Sequence, residues 1–203
     1  KLHIIPHGIY EFFRGTGSPG IRPARVILYF GRFEPYKGIE VLVQAYRRLR
    51  QQFPAWSLII AGAGRLPPGL NIQPGDGVEL RNGFLPDGAV ADLMRRTRLV
   101  VVPYTEATQS GVIATAYAFD RPVVATRVGG LAEMVENGKT GLLVRPNDAR
   151  ELARAIRTLL KDPARLRQMA RHVHALRRGK LRWERIAQLH SRLYSGLLGE
   201  SAN

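Results

Sequence analysis

The chain has 203 residues, 45% of them hydrophobic, no cysteine and a formal net charge of +15. That is enough apolar material for one sizeable core, while disulfide scaffolds and thiolate metal sites are excluded. No apolar run approaches the roughly 18 residues a membrane-spanning helix needs, and the opening KLHIIPHG lacks the charged-then-apolar layout of a signal peptide. The first residue is not Met, so the expectation is a piece of a longer protein, and the absence of cysteine is compatible with a cytoplasmic one. The positive excess is spread along the chain, +7 over residues 1–100 (14 basic, 7 acidic) and +8 over residues 101–203 (17 basic, 9 acidic).

Residues 16–23 are rich in Pro and Gly and predict a surface loop. The first β-rich run, residues 26–30, leads into GRFEPYKGIE, where Gly31 and Arg32 close a strand and Lys37 and Gly38 precede a helical repeat. Ile39, Leu42, Val43, Tyr46 and Leu49 give that helix its buried stripe. Two cations therefore gather where a strand hands over to a helix. A helix N-terminus carries about half a positive charge and several unpaired N–H groups, so Arg32 and Lys37 beside it favour a di-anionic ligand. The plainer alternative makes Lys37 an exposed lysine opening a helix.

Strands follow at residues 57–61 and 78–81 with a Pro- and Gly-rich loop at 65–76 between them, and Val90, Leu93 and Met94 mark a second, shorter helix. Beyond a strand at residues 99–103, TEATQSGVIATAYAF places Glu106 in a loop and Ser110, Gly111 and Val112 at a helix start. Small residues there let backbone N–H groups approach an anion closely. After a strand at residues 122–125, Gly129 and Gly130 serve either a turn or a ligand, and Glu133 either caps the short helix beyond them or touches that ligand. A last strand spans residues 141–144.

Asp148 is placed to cap a helix with Glu151 three residues on, and Leu152, Ile156, Leu159 and Leu160 form its buried face. A further helix runs from Pro163 through Leu166, Met169, Val173 and Leu176 until Gly179 interrupts it. The final helix follows Trp183 and carries Ile186, Leu189, Leu193 and Leu197, which reads Trp183 as a core residue. Strands alternating with helices predict an α/β fold, a parallel sheet with helices on both faces, and ligands bound beyond the carboxyl ends of its strands.

Other motifs fail in ways that narrow the chemistry. Gly62-Ala63-Gly64 would need glycine at Pro67 to make a dinucleotide fingerprint, and Gly138-Lys139-Thr140 lacks the first glycine of a P-loop because Glu133 stands there. His172 and His174, two apart on a helix, face different sides, and no D-x-D pair is present, so no metal site is expected. Residues 162–203 hold 9 basic against 3 acidic residues on two predicted helices. That charge suits either a solvated helical face or an anionic membrane surface; without interleaved aromatics, nucleic acid is disfavoured.

Five runs in order, GRFEPYKGIEVLVQAYRRL, SLIIAGAG, VVPYTEATQSG, RPVVATRVGGLAEMVENGKTGLLV and LRWERIAQLHSRLY, resemble the C-terminal domain of retaining nucleotide-sugar glycosyltransferases of the family 4, group 1 type. The resemblance covers nearly the whole chain. It implies one Rossmann-like domain over residues 1–203, half of a GT-B fold, with a crossover helix near residues 182–198 returning toward an acceptor domain absent from this chain. By the same resemblance, Arg32 and Lys37 neutralise the diphosphate of a nucleoside-diphosphate sugar without a metal or other cofactor. Glu106 faces the donor sugar, Ser110, Gly111 and Val112 meet the phosphates beside Gly31, and Gly83 and Phe84 wall the nucleotide base.

The family's E-x7-E motif is only partly kept. Its second glutamate position falls at Thr115, which the resemblance implies contacts the nucleotide but where a hydroxyl cannot offer a ribose diol two carboxylate oxygens. Helix packing is the other reading of Thr115. Asp120 stands where the family has glycine, a tolerated turn change on this reading. The implied function is donor binding for sugar transfer, with a peripheral contact to an anionic membrane as a further expectation. The rival expectation is a non-catalytic basic module for anionic membrane or nucleic acid.

Overall fold

The computed structural model describes residues 3–199, so residues 1, 2 and 200–203 of the expected unit lie outside the described residues. Six strands form one wholly parallel sheet: β1 (Val26–Phe30), β2 (Ser57–Gly62), β3 (Val78–Asn82), β4 (Leu99–Val102), β5 (Val123–Thr126) and β6 (Gly141–Val144). Their order is β3-β2-β1-β4-β5-β6. Each strand coincides with an expected β-rich run to within one residue at either end. The reason is burial: β1, β2, β4 and β5 are covered on both faces, so they read as near-continuous apolar runs rather than as alternation. β3 lies at an edge, is half-exposed, and carries Glu79 and Arg81 instead.

Seven helices accompany the strands among the described residues: α1 (Ile39–Arg50), α2 (Asp87–Arg96), α3 (Gly111–Ala118), α4 (Leu131–Met134), α5 (Ala149–Lys161), α6 (Pro163–Arg178) and α7 (Trp183–Leu197). α1 packs on α5, whereas α3 packs on α6. Caps begin the later helices as their sequences require. The Asp148 carboxylate accepts from Glu151 N at 2.7 Å, and Asp162, just before Pro163, accepts from Arg165 N at 2.9 Å.

Two residues depart from their expected roles. Trp183 is 48% exposed rather than core; its ring lies against Gly8 and its Nε1 donates to the Ile9 carbonyl at 2.8 Å. The Ile9 amide in turn donates to Leu181 O at 3.3 Å, so residues 7–9 are fastened to the start of α7. Ile186 is the one buried residue described on α7, which leaves Tyr194 and Leu197 uncovered.

Asp120 is more than a turn residue. It holds φ at 59°, a left-handed conformation, and accepts from Arg177 Nε at 2.8 Å while pairing with His174 Nδ1 at 3.2 Å. Arg177 also reaches Glu11 at 3.1 Å and is almost fully buried, so part of the basic tail is internal structure and not solvated surface. His172 points elsewhere, toward Lys139 O, as its spacing from His174 predicts. No described helix is long and apolar enough to cross a membrane.

Candidate functional site

The chain runs outward from β1 to β3 in one direction and then returns to place β4 on the other side of β1. This reversal opens a crevice between the carboxyl ends of β1 and β4. The loop after β1 carries Gly31, Arg32 and Lys37, and the loop after β4 carries Tyr104, Glu106 and Ser110.

Gly38 sets how close those loops come. Its φ is 65°, and a Cβ there would overlap the carbonyl oxygen of Pro103. The approach allows Thr105 N to donate to Tyr36 O at 2.8 Å. It also brings Lys37 Nζ to 3.7 Å from the centroid of the Tyr104 ring and 4.8 Å from that of Tyr36. The ammonium thus rests in an aromatic corner that attracts it through the ring quadrupoles.

That corner does not neutralise the charge. Burial, and next the neighbouring Arg32, lower the Lys37 ammonium to about 8, with Glu34 opposing them. Neither Lys37 nor Arg32 belongs to any ion pair among the described residues. Arg32 is exposed, and its carbonyl is held by the Tyr29 hydroxyl at 2.9 Å, which fixes its backbone and leaves its guanidinium free. Two cations without ion-pair partners thus lie in the loop at the switch point.

The helix behind them adds donors. Ser110 caps α3, its Oγ accepting from Ile113 N at 3.3 Å, and the amides of Gly111 and Val112 belong to the first turn that helix carbonyls do not reach. A hollow lined by Lys37, Thr105, Glu106, Gln109, Val128 and Gly129 lies beside it, with Glu106 exposed. Gly129 closes the far side: its φ is 41° and a Cβ would overlap Ala107 O, so the loop after β5 is pressed against the loop bearing Glu106.

Not every expected residue joins this cluster. Thr115 is 2% exposed and its hydroxyl donates to Gly111 O at 2.8 Å, so it serves helix packing and does not open on the hollow. Gly83 and Phe84 follow the edge strand β3, two strands from β1, with Phe84 88% exposed. Glu133 is exposed on α4, does not cap it, and lines a cavity of about 290 Å³ with His7 and Gly130; that cavity adjoins the hollow, sharing Thr108 and Gln109 with it, but neither cation lines it. Among the described residues no group of three or more His, Asp or Glu stands where it would hold a metal ion. Tyr104 is the participant that sequence reasoning missed; its one signal is an aromatic residue placed directly after the buried VVP run.

Residues 24–162 match the family model described as Glycosyl transferases group 1. The chain belongs to the group 1 glycosyltransferases. Over 180 residues this group 1 chain is 33% identical to glycogen synthase of Mycobacterium tuberculosis (strain ATCC 25618 / H37Rv), covering 87% of itself and 43% of that protein. The chain therefore spans less than half of that relative. Sucrose-phosphate synthase from Thermosynechococcus elongatus superposes with a TM-score of 0.75 at 30% identity, over 98% of this chain and 53% of that one. Anabaena HepE, solved in complex with UDP, has the same fold at a TM-score of 0.75 and 23% identity, over 97% of this chain and 57% of its own. The parallel sheet is thus the Rossmann-like half of a GT-B fold, as the sequence runs imply.

Proposed function

We propose that this chain is the donor-binding half of a retaining glycosyltransferase that moves a sugar from a nucleoside diphosphate to an acceptor. The observation that carries the reading is the pair of unpaired cations, Arg32 and Lys37, at the β1–β4 switch point beside the N-terminus of α3. As the bond from the anomeric carbon to the phosphate oxygen breaks, negative charge grows on that oxygen. Arg32, Lys37 and the Gly111 and Val112 amides stabilise it in place, and they supply the charge that a metal would otherwise provide. Glu106, exposed at the rim of the hollow, faces the sugar. With Thr115 buried in α3, the ribose takes its acceptor from another group.

The acceptor site belongs to the remainder of a longer protein, which docks on the uncovered face of α7 around Tyr194 and Leu197. On its own this half binds donor without turning it over. Titration with UDP, GDP, ADP and their sugars, followed by amide shifts, tests the reading. At least one of them is expected to move the signals of Arg32, Lys37 and Gly111; silence at all three with every ligand overturns it.

A further inference from the structure

Tyr104 does more in this structure than offer its ring to Lys37. Its side chain is 1% exposed, and its hydroxyl is one of two buried side-chain polar atoms without a hydrogen-bond partner among the described residues. Burial pushes the phenol up to about 12, so it keeps its proton and is a donor at any ordinary pH. Ser110 lies close enough to oppose that shift, yet the pair does not meet hydrogen-bond geometry and the phenol is left without a partner. A Cβ built on Gly31 would stand 3.7 Å from the phenolic oxygen and 3.5 Å from Val112 Cγ2. The orphan hydroxyl therefore sits beside the Gly31 backbone, at the end of β1, where the first turn of α3 also approaches. These are the two elements that frame the anion site.

Leaving a buried donor unmade costs free energy, and native proteins seldom carry that cost without a use. The neighbouring tyrosines show the contrast. Tyr29, Tyr46 and Tyr117 are buried to a similar degree, and each directs its hydroxyl to a named acceptor: Arg32 O, Trp56 O and Thr140 Oγ1.

We propose that Tyr104 is a ligand-binding residue whose hydroxyl donates to a phosphate oxygen of the bound diphosphate while its ring holds the Lys37 ammonium in place. This rests on the donor-diphosphate reading of the site above. One residue then serves both partners of the contact: the ring face steadies the cation and the phenol edge meets the anion. The free chain carries the strain of the unmade bond, and the ligand relieves it.

The substitution Tyr104→Phe isolates the hydroxyl, because the ring and its attraction for Lys37 remain. The probes are inorganic pyrophosphate and UDP, measured by calorimetry, with the thermal midpoint of the free chain recorded alongside. The expected result is a loss of about three- to tenfold in affinity for both probes, together with a midpoint that is unchanged or higher. A merely structural hydroxyl would behave oppositely, lowering the midpoint and sparing affinity. Equal affinity of the native and Phe chains for pyrophosphate and UDP overturns the role of Tyr104 alone, and so does a lowered midpoint. If the native chain binds neither probe, the donor-diphosphate reading falls and this inference falls with it.

Discussion

The amide of Thr105 donates to the carbonyl of Tyr36 at 2.8 Å, so the loop that bears Lys37 and the loop that bears Tyr104 and Glu106 are joined by their backbones. The crevice around Lys37 and Tyr104 is therefore a property of two strand ends held together, and its shape depends on how near they stand.

Gly38 governs that distance. Gly38→Ala places a side chain at φ 65° and against Pro103 O, and is expected to cost about 2–4 kcal/mol in urea unfolding. Affinity for nucleoside diphosphates should fall as well, because the loops must part. Unchanged stability would mean that the loops approach less closely than described.

Lys37 is expected to trade stability for binding. It is half-buried without an ion-pair partner, so Lys37→Met should leave the free chain as stable as before or more so. The same change should weaken diphosphate binding by about 1.5–3 kcal/mol through the lost charge-assisted contact. A variant that binds as tightly as the native chain returns Lys37 to the role of a helix-opening lysine.

The lowered Lys37 proton affinity gives a pH signature. Its folded value, about 8, lies below the ordinary 10.5, so between those limits the unfolded chain holds the proton more tightly. Lys37 therefore detracts from folding stability below pH 8, and the penalty fades as pH rises toward the unfolded value. Diphosphate acts in the other direction by favouring the ammonium. Binding at about pH 8.5 should take up a fraction of a proton, and affinity should decline as pH climbs further. Calorimetry in buffers of different ionisation enthalpy reads that uptake, which Lys37→Arg, charged throughout, should abolish.

Asp120 and Arg177 make a prediction about the scaffold alone. Asp120→Ala leaves the nearly buried Arg177 guanidinium with Glu11 as its one carboxylate partner among the described residues and keeps the left-handed backbone, so about 2–3 kcal/mol of stability should be lost. Asp120→Gly loses the same ion pair but relaxes the backbone, and should be about 1 kcal/mol less damaging. Thermal unfolding of both variants checks the order; a reversed order would discredit the strain at this turn.

The strands, the cationic loop after β1 and the capped start of α3 were legible in the residues because local rules govern them. Buried parallel strands are continuous apolar runs, helix starts need caps and small residues, and Arg32 and Lys37 lie five positions apart in one segment. Tyr104 was not legible. Its contact with Lys37 arises from the neighbouring of β1 and β4, which sequence spacing does not encode. Asp120 hid for the same reason, since its partners Arg177 and His174 come from α6. Trp183 misled because an aromatic residue opening an amphipathic helix has the pattern of a core residue, whereas its partner is the distant backbone of Gly8 and Ile9.

The fastening of residues 7–9 to Leu181 and Trp183 brings the segment that precedes β1 and the start of α7 to one corner. The sheet and its switch point consequently lie within a loop of chain tied at its neck. A covalent join across that corner, with new ends opened in the exposed turn around Gly69, should leave Lys37, Tyr104 and Ser110 in their present places. A torque applied through either end would likewise be borne at the neck, and the anion site would ride along undeformed.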